Sequence, residues 1–176
     1  MEWMFMPLKR YAEFSGRSRR MEFWMWQLFK FLVVLALWVV MFVLIGSAAM
    51  SGDAGALMAM GGVAMVVWLV AMLFFLAIII PDIAVAVRRL HDTDRTGWWI
   101  LAPIVPYLVM WFSFLGGAAS GSEGGLAAGG ILGLIALVVF FGLCIMLLVF
   151  YFTEGTKGPN RFGPDPKGAN TGEVFA

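Results

Sequence analysis

Apolar residues gather in four long runs, Phe31 to Met50, Leu57 to Ile80, Trp98 to Leu115 and Ile131 to Phe152, and none of the four contains a charged residue. Twenty residues at ~1.5 Å rise make a helix of ~30 Å, one hydrocarbon thickness. The pattern predicts an all-α polytopic membrane protein of four transmembrane helices arranged as two hairpins. Gly52, Asp53 and Gly55 turn the first hairpin, and the glycine-rich stretch Gly116 to Gly130 turns the second. A secretory signal peptide is the competing reading of the first run, but an h-region is only about 7 to 15 residues long.

Polar positions divide the chain. Residues 1–30 form an amino-terminal segment, 31–152 the four-helix domain with a central loop at 81–97, and 153–176 a Pro/Gly-rich carboxyl-terminal segment. Leu8, Tyr11 and Phe14 recur every three residues after Pro7, so residues 7–15 are expected to form a short helix lying in the membrane interface. Past Pro81 and Asp82 the sequence stays apolar enough for the second helix to continue. Pro103 and Pro106 are expected to bend the third span near its start. Gly125, Gly129 and Gly133 fall at four-residue intervals, the spacing that lets helices approach closely, although a glycine-rich loop can give it by chance.

Composition agrees with this picture. The chain is 62% hydrophobic and 13% charged, with a mean hydropathy of +0.91, against roughly a quarter charged in soluble domains. The net charge of +1 hides an uneven distribution. Lys9, Arg10, Arg17, Arg19, Arg20 and Lys30 precede the first span, Arg88, Arg89 and Arg95 lie between the second and third, and Lys157, Arg161 and Lys167 follow the fourth. By the positive-inside rule both termini and the central loop are expected to be cytoplasmic.

One cysteine, Cys144, and one histidine, His91, provide neither a disulfide nor a zinc spacing. No metal, cofactor or nucleic-acid partner is expected, and no catalytic residue is assigned. The densest polar stretch is Arg88-Arg89-Leu90-His91-Asp92-Thr93-Asp94-Arg95-Thr96-Gly97-Trp98-Trp99.

Three motifs carry a resemblance. Gly16-Arg17-Ser18-Arg19-Arg20-Met21-Glu22-Phe23-Trp24, the central stretch, and Asn160-Arg161-Phe162-Gly163-Pro164-Asp165-Pro166 occur in this order between hydrophobic runs. Together they resemble the bacterial inner-membrane family called domain of unknown function 805, over roughly Leu8 to Pro166, with Asp94 and Thr96 as departures from its usual central motif. The resemblance implies a small multi-span inner-membrane protein and brings no activity with it.

Candidate residues for a binding surface or structural cap are Arg19, Arg20, Glu22, Trp24, Asp82, Arg88, Arg89, His91, Asp92, Arg95, Trp98, Asn160, Arg161, Phe162 and Asp165. Clustered arginines beside a membrane attract anionic headgroups, so the expected role is non-enzymatic binding of an anionic lipid, ligand or partner at a cytoplasmic face. Partners are membrane lipids, with a second copy or another membrane protein beside them. A small transporter or channel component, with Asp82 as its candidate residue, is the alternative. A membrane enzyme acting on a phosphate-bearing substrate through His91 stands third. A clasp is also expected, in which 160–166 folds back, Asp165 or Glu22 pairs an arginine of the central stretch, and Phe162 packs near Trp98.

Overall fold

A computed structural model describes residues 2–168, so the last part of the carboxyl-terminal segment, 169–176, lies outside the described residues. The chain is all-helical: α1 (Glu2–Lys9), α2 (Arg20–Ser51), α3 (Ala54–Asp92), a 3-10 turn (Gly97–Leu101), α4 (Ile104–Ala119) and α5 (Glu123–Phe152). No strand occurs among the described residues, and four helical stretches are long and apolar enough to cross a membrane. Many of their apolar side chains are exposed, as with Phe31, Leu73, Phe112 and Val138. In a bilayer such side chains meet acyl chains rather than water, so exposure carries no hydrophobic cost.

Two compact units share the chain. Among the described residues, one contains 2–14 and 21–85, the other 15–20 and 86–168.

In the first unit the amino-terminal helix differs from its expected place at 7–15. It ends at Lys9, and Pro7 lies inside it. Tertiary packing explains the shift, because Phe5 sets its ring against the edge of Phe29 on α2 and draws the upstream residues into the helix. Beyond Lys9 the chain turns, held by the Arg10–Glu13 ion pair. Pro81 stands inside α3, where it has no N–H to give the carbonyl four residues earlier, that of Ala77. The Tyr11 hydroxyl donates to that carbonyl instead. Helix α3 therefore continues through the proline to Asp92, and of the expected loop 81–97 only 93–96 lie outside helical structure.

In the second unit α4 packs along α5. A Cβ on Gly129 would run into the Ser113 carbonyl and approach the Gly117 Cα to 2.9 Å, while one on Gly133 would meet the Phe114 ring at 2.9 Å. The four-residue glycine spacing is thus a packing seam. The expected loop 116–130 is mostly helix. Gly121, with φ at 62°, makes the turn, and Ser122 caps α5 by accepting the Gly125 amide at 3.1 Å. In lipid an unpaired backbone amide costs several kcal/mol, so helix forms here despite glycine's low propensity. Pro103 and Pro106 fall at the N-cap and first turn of α4, where amides have no intrahelical acceptor. They mark the break between the 3-10 turn and α4 without costing a ladder bond.

The Tyr11 contact yields a test. Tyr11→Phe should destabilise the detergent-solubilised protein by about 1 kcal/mol, the usual net value of one hydrogen bond. In a Pro81→Ala background the same change should cost much less, because residue 81 then supplies its own N–H. Equal costs in both backgrounds, read by thermal unfolding, would show that Tyr11 does not serve this carbonyl.

Candidate functional site

At one end of the second unit, three polar stretches close into a clasp. Its centre is Asp92, the last residue of α3. A carboxylate at a helix C-terminus faces the negative end of the helix dipole, and two guanidiniums compensate it. Arg17 approaches Oδ1 with Nε at 3.0 Å and a terminal nitrogen at 2.9 Å, and Arg89 donates to Oδ2. The side chains of Arg17 and Arg89 are 1% and 0% exposed, and that of Asp92 7%. Burial of this kind is tolerable only with every donor satisfied. Arg17 spends its other N–H groups on the carbonyls of Thr156 and Gly158, and Arg89 on those of Tyr151 and Thr153. Arg20 takes the carbonyl of Phe152 at 3.2 Å. The carbonyls left over at the end of α5 are therefore capped by arginines, a task that suits a planar fork of five donors better than lysine's point charge.

The carboxyl-terminal segment is tied to the same centre. Thr156 donates its amide to the Asp92 carbonyl at 2.8 Å. Gly155 lies so close that any Cβ would collide with the Asp92 carboxylate. Asn160 donates to the His91 carbonyl at 2.9 Å and to the Thr156 hydroxyl at 3.0 Å, and its own oxygen accepts the Phe162 amide at 3.0 Å. A two-bond bridge between Asn160 and Gly163 folds the tip. The Phe162 ring lies flat on the His91 imidazole, centroids 3.9 Å apart and planes within 3°. His91 Nδ1 sits 3.2 Å from the Gly16 carbonyl, and since a carbonyl only accepts, Nδ1 carries the proton. Arg19 donates to the Pro166 carbonyl. Arg161 pairs with Asp94, whose φ of 57° is one that aspartate tolerates better than most residues.

The carboxyl-terminal segment thus folds back as expected, but Phe162 and Asp165 take other partners than those expected. Phe162 stacks on His91, not on Trp98, which is 76% exposed. His91 stands on the last turn of α3 with a face open to the returning segment, whereas Trp98 lies beyond the turn. Asp165 does not pair an arginine of the central stretch. It accepts the Gly158 amide at 3.0 Å and the Lys167 amide at 2.8 Å, closing its own turn. Those amides, that of Lys167 foremost, hold its carboxyl below the ordinary carboxylate range.

Of the other expected residues, Arg88 is fully buried and its carbonyl accepts the Ser18 amide at 3.1 Å. Arg95 lies over the Phe150 ring at 3.8 Å. Glu22, Trp24 and Asp82 belong to the first unit. Glu22 is buried there, Trp24 meets the edge of Phe23, and Asp82 accepts the Trp26 indole N–H at 2.9 Å and pairs with Lys30. Arg17, Gly155, Thr156, Trp26 and Lys30 were not among the expected residues. Arg17 was visible only as one arginine among several in its motif, and backbone contacts such as those of Gly155 leave no signature in sequence.

Comparison with known proteins places this architecture. A family model described as "Protein of unknown function (DUF805)" matches residues 11–164. The chain belongs to this family. It is 33% identical over 167 residues to "Inner membrane protein YhaI" of Escherichia coli strain K12, an alignment covering 95% of this chain and 97% of that protein. It is 30% identical over 167 residues to "Inner membrane protein YhaH" of the same strain, covering 95% and 98%. No solved structure matches. The matched region holds Arg17, Arg89, His91, Asp92, Asn160 and Phe162, so the family's extent takes in the heart of the clasp.

Two predictions follow from the charges. Asp92→Asn leaves two buried guanidiniums without their anion and should cost about 3 to 5 kcal/mol, whereas Asp94→Asn, at the exposed pair with Arg161, should cost less than about 1 kcal/mol. Thermal unfolding in detergent compares them, and similar shifts would deny Asp92 its central place. The depressed Asp165 carboxyl stabilises the fold at pH values above its unfolded value, and that stability is lost as pH falls through the folded value. The stability gap between wild type and Asp165→Asn should therefore close in acid; a gap independent of pH would contradict the assignment.

Proposed function

We propose that this chain is a non-enzymatic inner-membrane protein, with both termini and the α3–α4 connection in the cytoplasm, whose clasp binds a phosphate-bearing anion beside the membrane. The orientation rests on the basic residues, all twelve of which fall within 9–30, 88–95 and 157–167. The observation that carries the binding reading is a cleft of about 110 Å³ lined by Arg17, Arg19, Arg20, Lys157 and Lys167 against Asp92, Glu154 and Asp165. Five cations face three carboxylates there.

Arg17 is consumed inside the protein, while Arg20, Lys157 and Lys167 remain exposed at the rim. A surplus of positive charge on a fixed frame suits a phosphate more than a neutral ligand. The same geometry supports a structural over a catalytic role for His91. Its ring is covered by Phe162, its Nδ1 is committed to Gly16, and the neighbouring Asp92 is occupied by two arginines.

A phosphate can come from a lipid headgroup or from a soluble ligand, and the test separates them. Native mass spectrometry measures retained phosphatidylglycerol, and a thermal shift with inorganic pyrophosphate measures the soluble source. Each basic side chain near a membrane surface contributes about 1 kcal/mol, so Lys157→Ala with Lys167→Ala should weaken binding about thirtyfold. Loss in one arm identifies the source. Unchanged binding of both probes would overturn the proposal.

A further inference from the structure

The first unit holds a second feature, independent of the clasp. Between α2 and α3 runs an apolar groove of about 750 Å³. On α2 its lining follows one helical stripe from Val34 through Trp38 and Phe42 to Gly46, and on α3 another from Val67 through Trp68 and Phe75 to Ile79. Each stripe covers twelve residue steps, ~18 Å of helix rise, slightly more than half the ~30 Å hydrocarbon core. That is the depth of one leaflet.

Both stripes end in charge. Lys30 lies four residues before Val34, and Asp82 three residues after Ile79, so each occupies the next position on its helix face. The two pair with each other at the groove's end, beside the Trp26 indole. Lys30 and Trp26 both donate to Oδ1 of Asp82, leaving Oδ2 for another donor, and the Asp82 side chain is 36% exposed. The Lys30 ammonium has three N–H groups, of which Asp82 takes one.

A cation and an anion with spare valences, at one end of a leaflet-deep apolar channel, match an amphiphile whose head carries both signs. A head whose phosphate draws Lys30 away but that brings no amine would leave the Asp82 carboxylate with the Trp26 N–H alone, and a purely cationic head would meet the Lys30 ammonium. We propose that the α2–α3 groove binds a glycerophospholipid with a zwitterionic ammonium–phosphate headgroup, the phosphate on Lys30, the ammonium on Asp82 and an acyl chain along the groove.

The test uses full-length protein carrying Lys157→Ala and Lys167→Ala, so that anionic lipid at the clasp does not mask the groove and the two readings fail separately. Delipidated protein in detergent is offered equal amounts of phosphatidylethanolamine and phosphatidylglycerol and analysed by native mass spectrometry. Phosphatidylethanolamine should be retained about tenfold over phosphatidylglycerol, the difference one polar contact makes. Asp82→Asn should abolish that preference. Ala71→Trp, which fills the groove and leaves the charged pair intact, should lower retention of phosphatidylethanolamine about tenfold, with folding checked by circular dichroism. Equal retention of the two lipids before Asp82 is changed, retention indifferent to Ala71→Trp, or a lipid-free dimer showing that a second copy fills the groove would each overturn the proposal.

Discussion

A single carboxylate, that of Asp92, has to be neutralised at the end of a helix and away from water, and the second unit is built around that requirement. Arg17 and Arg89 supply the charge. Because a buried guanidinium must satisfy its remaining donors, the same two side chains reach the carbonyls at 151, 153, 156 and 158. The segment after α5 is thereby given a path. Once Gly155 and Thr156 rest on Asp92, Asn160 reaches His91, and Phe162 covers its ring. A polar cluster here fixes which segments meet, something apolar packing in a membrane does weakly because lipid tails compete with side chains for every contact.

The membrane part obeys a different constraint. With no water to accept backbone bonds, helix is the only local solution, and each irregularity has its own remedy. Tyr11 serves the carbonyl that Pro81 leaves, Ser122 caps the start of α5, and Pro103 and Pro106 sit where no donor is missed. Glycine is used in α5 for closeness, since Gly129 allows the backbone of α4 at Ser113 and Gly117 to approach without a side chain between.

Charge is thus used in two ways. Deep in the clasp it is internal, with arginines shared between an acidic side chain and carbonyls, and it holds the fold. At the rim it is exposed, on Arg20, Lys157 and Lys167, where Arg20 and Lys167 share the Glu154 carboxylate. Sequence reading counts both kinds alike. Arg89 and Arg20 look equivalent as letters, yet one is fully buried and the other is open to solvent.

The sequence by itself determined the all-helical membrane class, the four spans, the family and the three polar stretches that matter, because hydropathy and helix rise act locally and add along the chain. Tertiary structure alone decided the pairings: Arg17 with Asp92 across 75 residues, Phe162 with His91 rather than Trp98, and Trp26 and Lys30 with Asp82. It also moved the amino-terminal helix to Glu2–Lys9 and started α5 at Glu123. Such choices depend on where a few distant atoms meet, and among several arginines of identical chemistry only geometry selects the one that is buried.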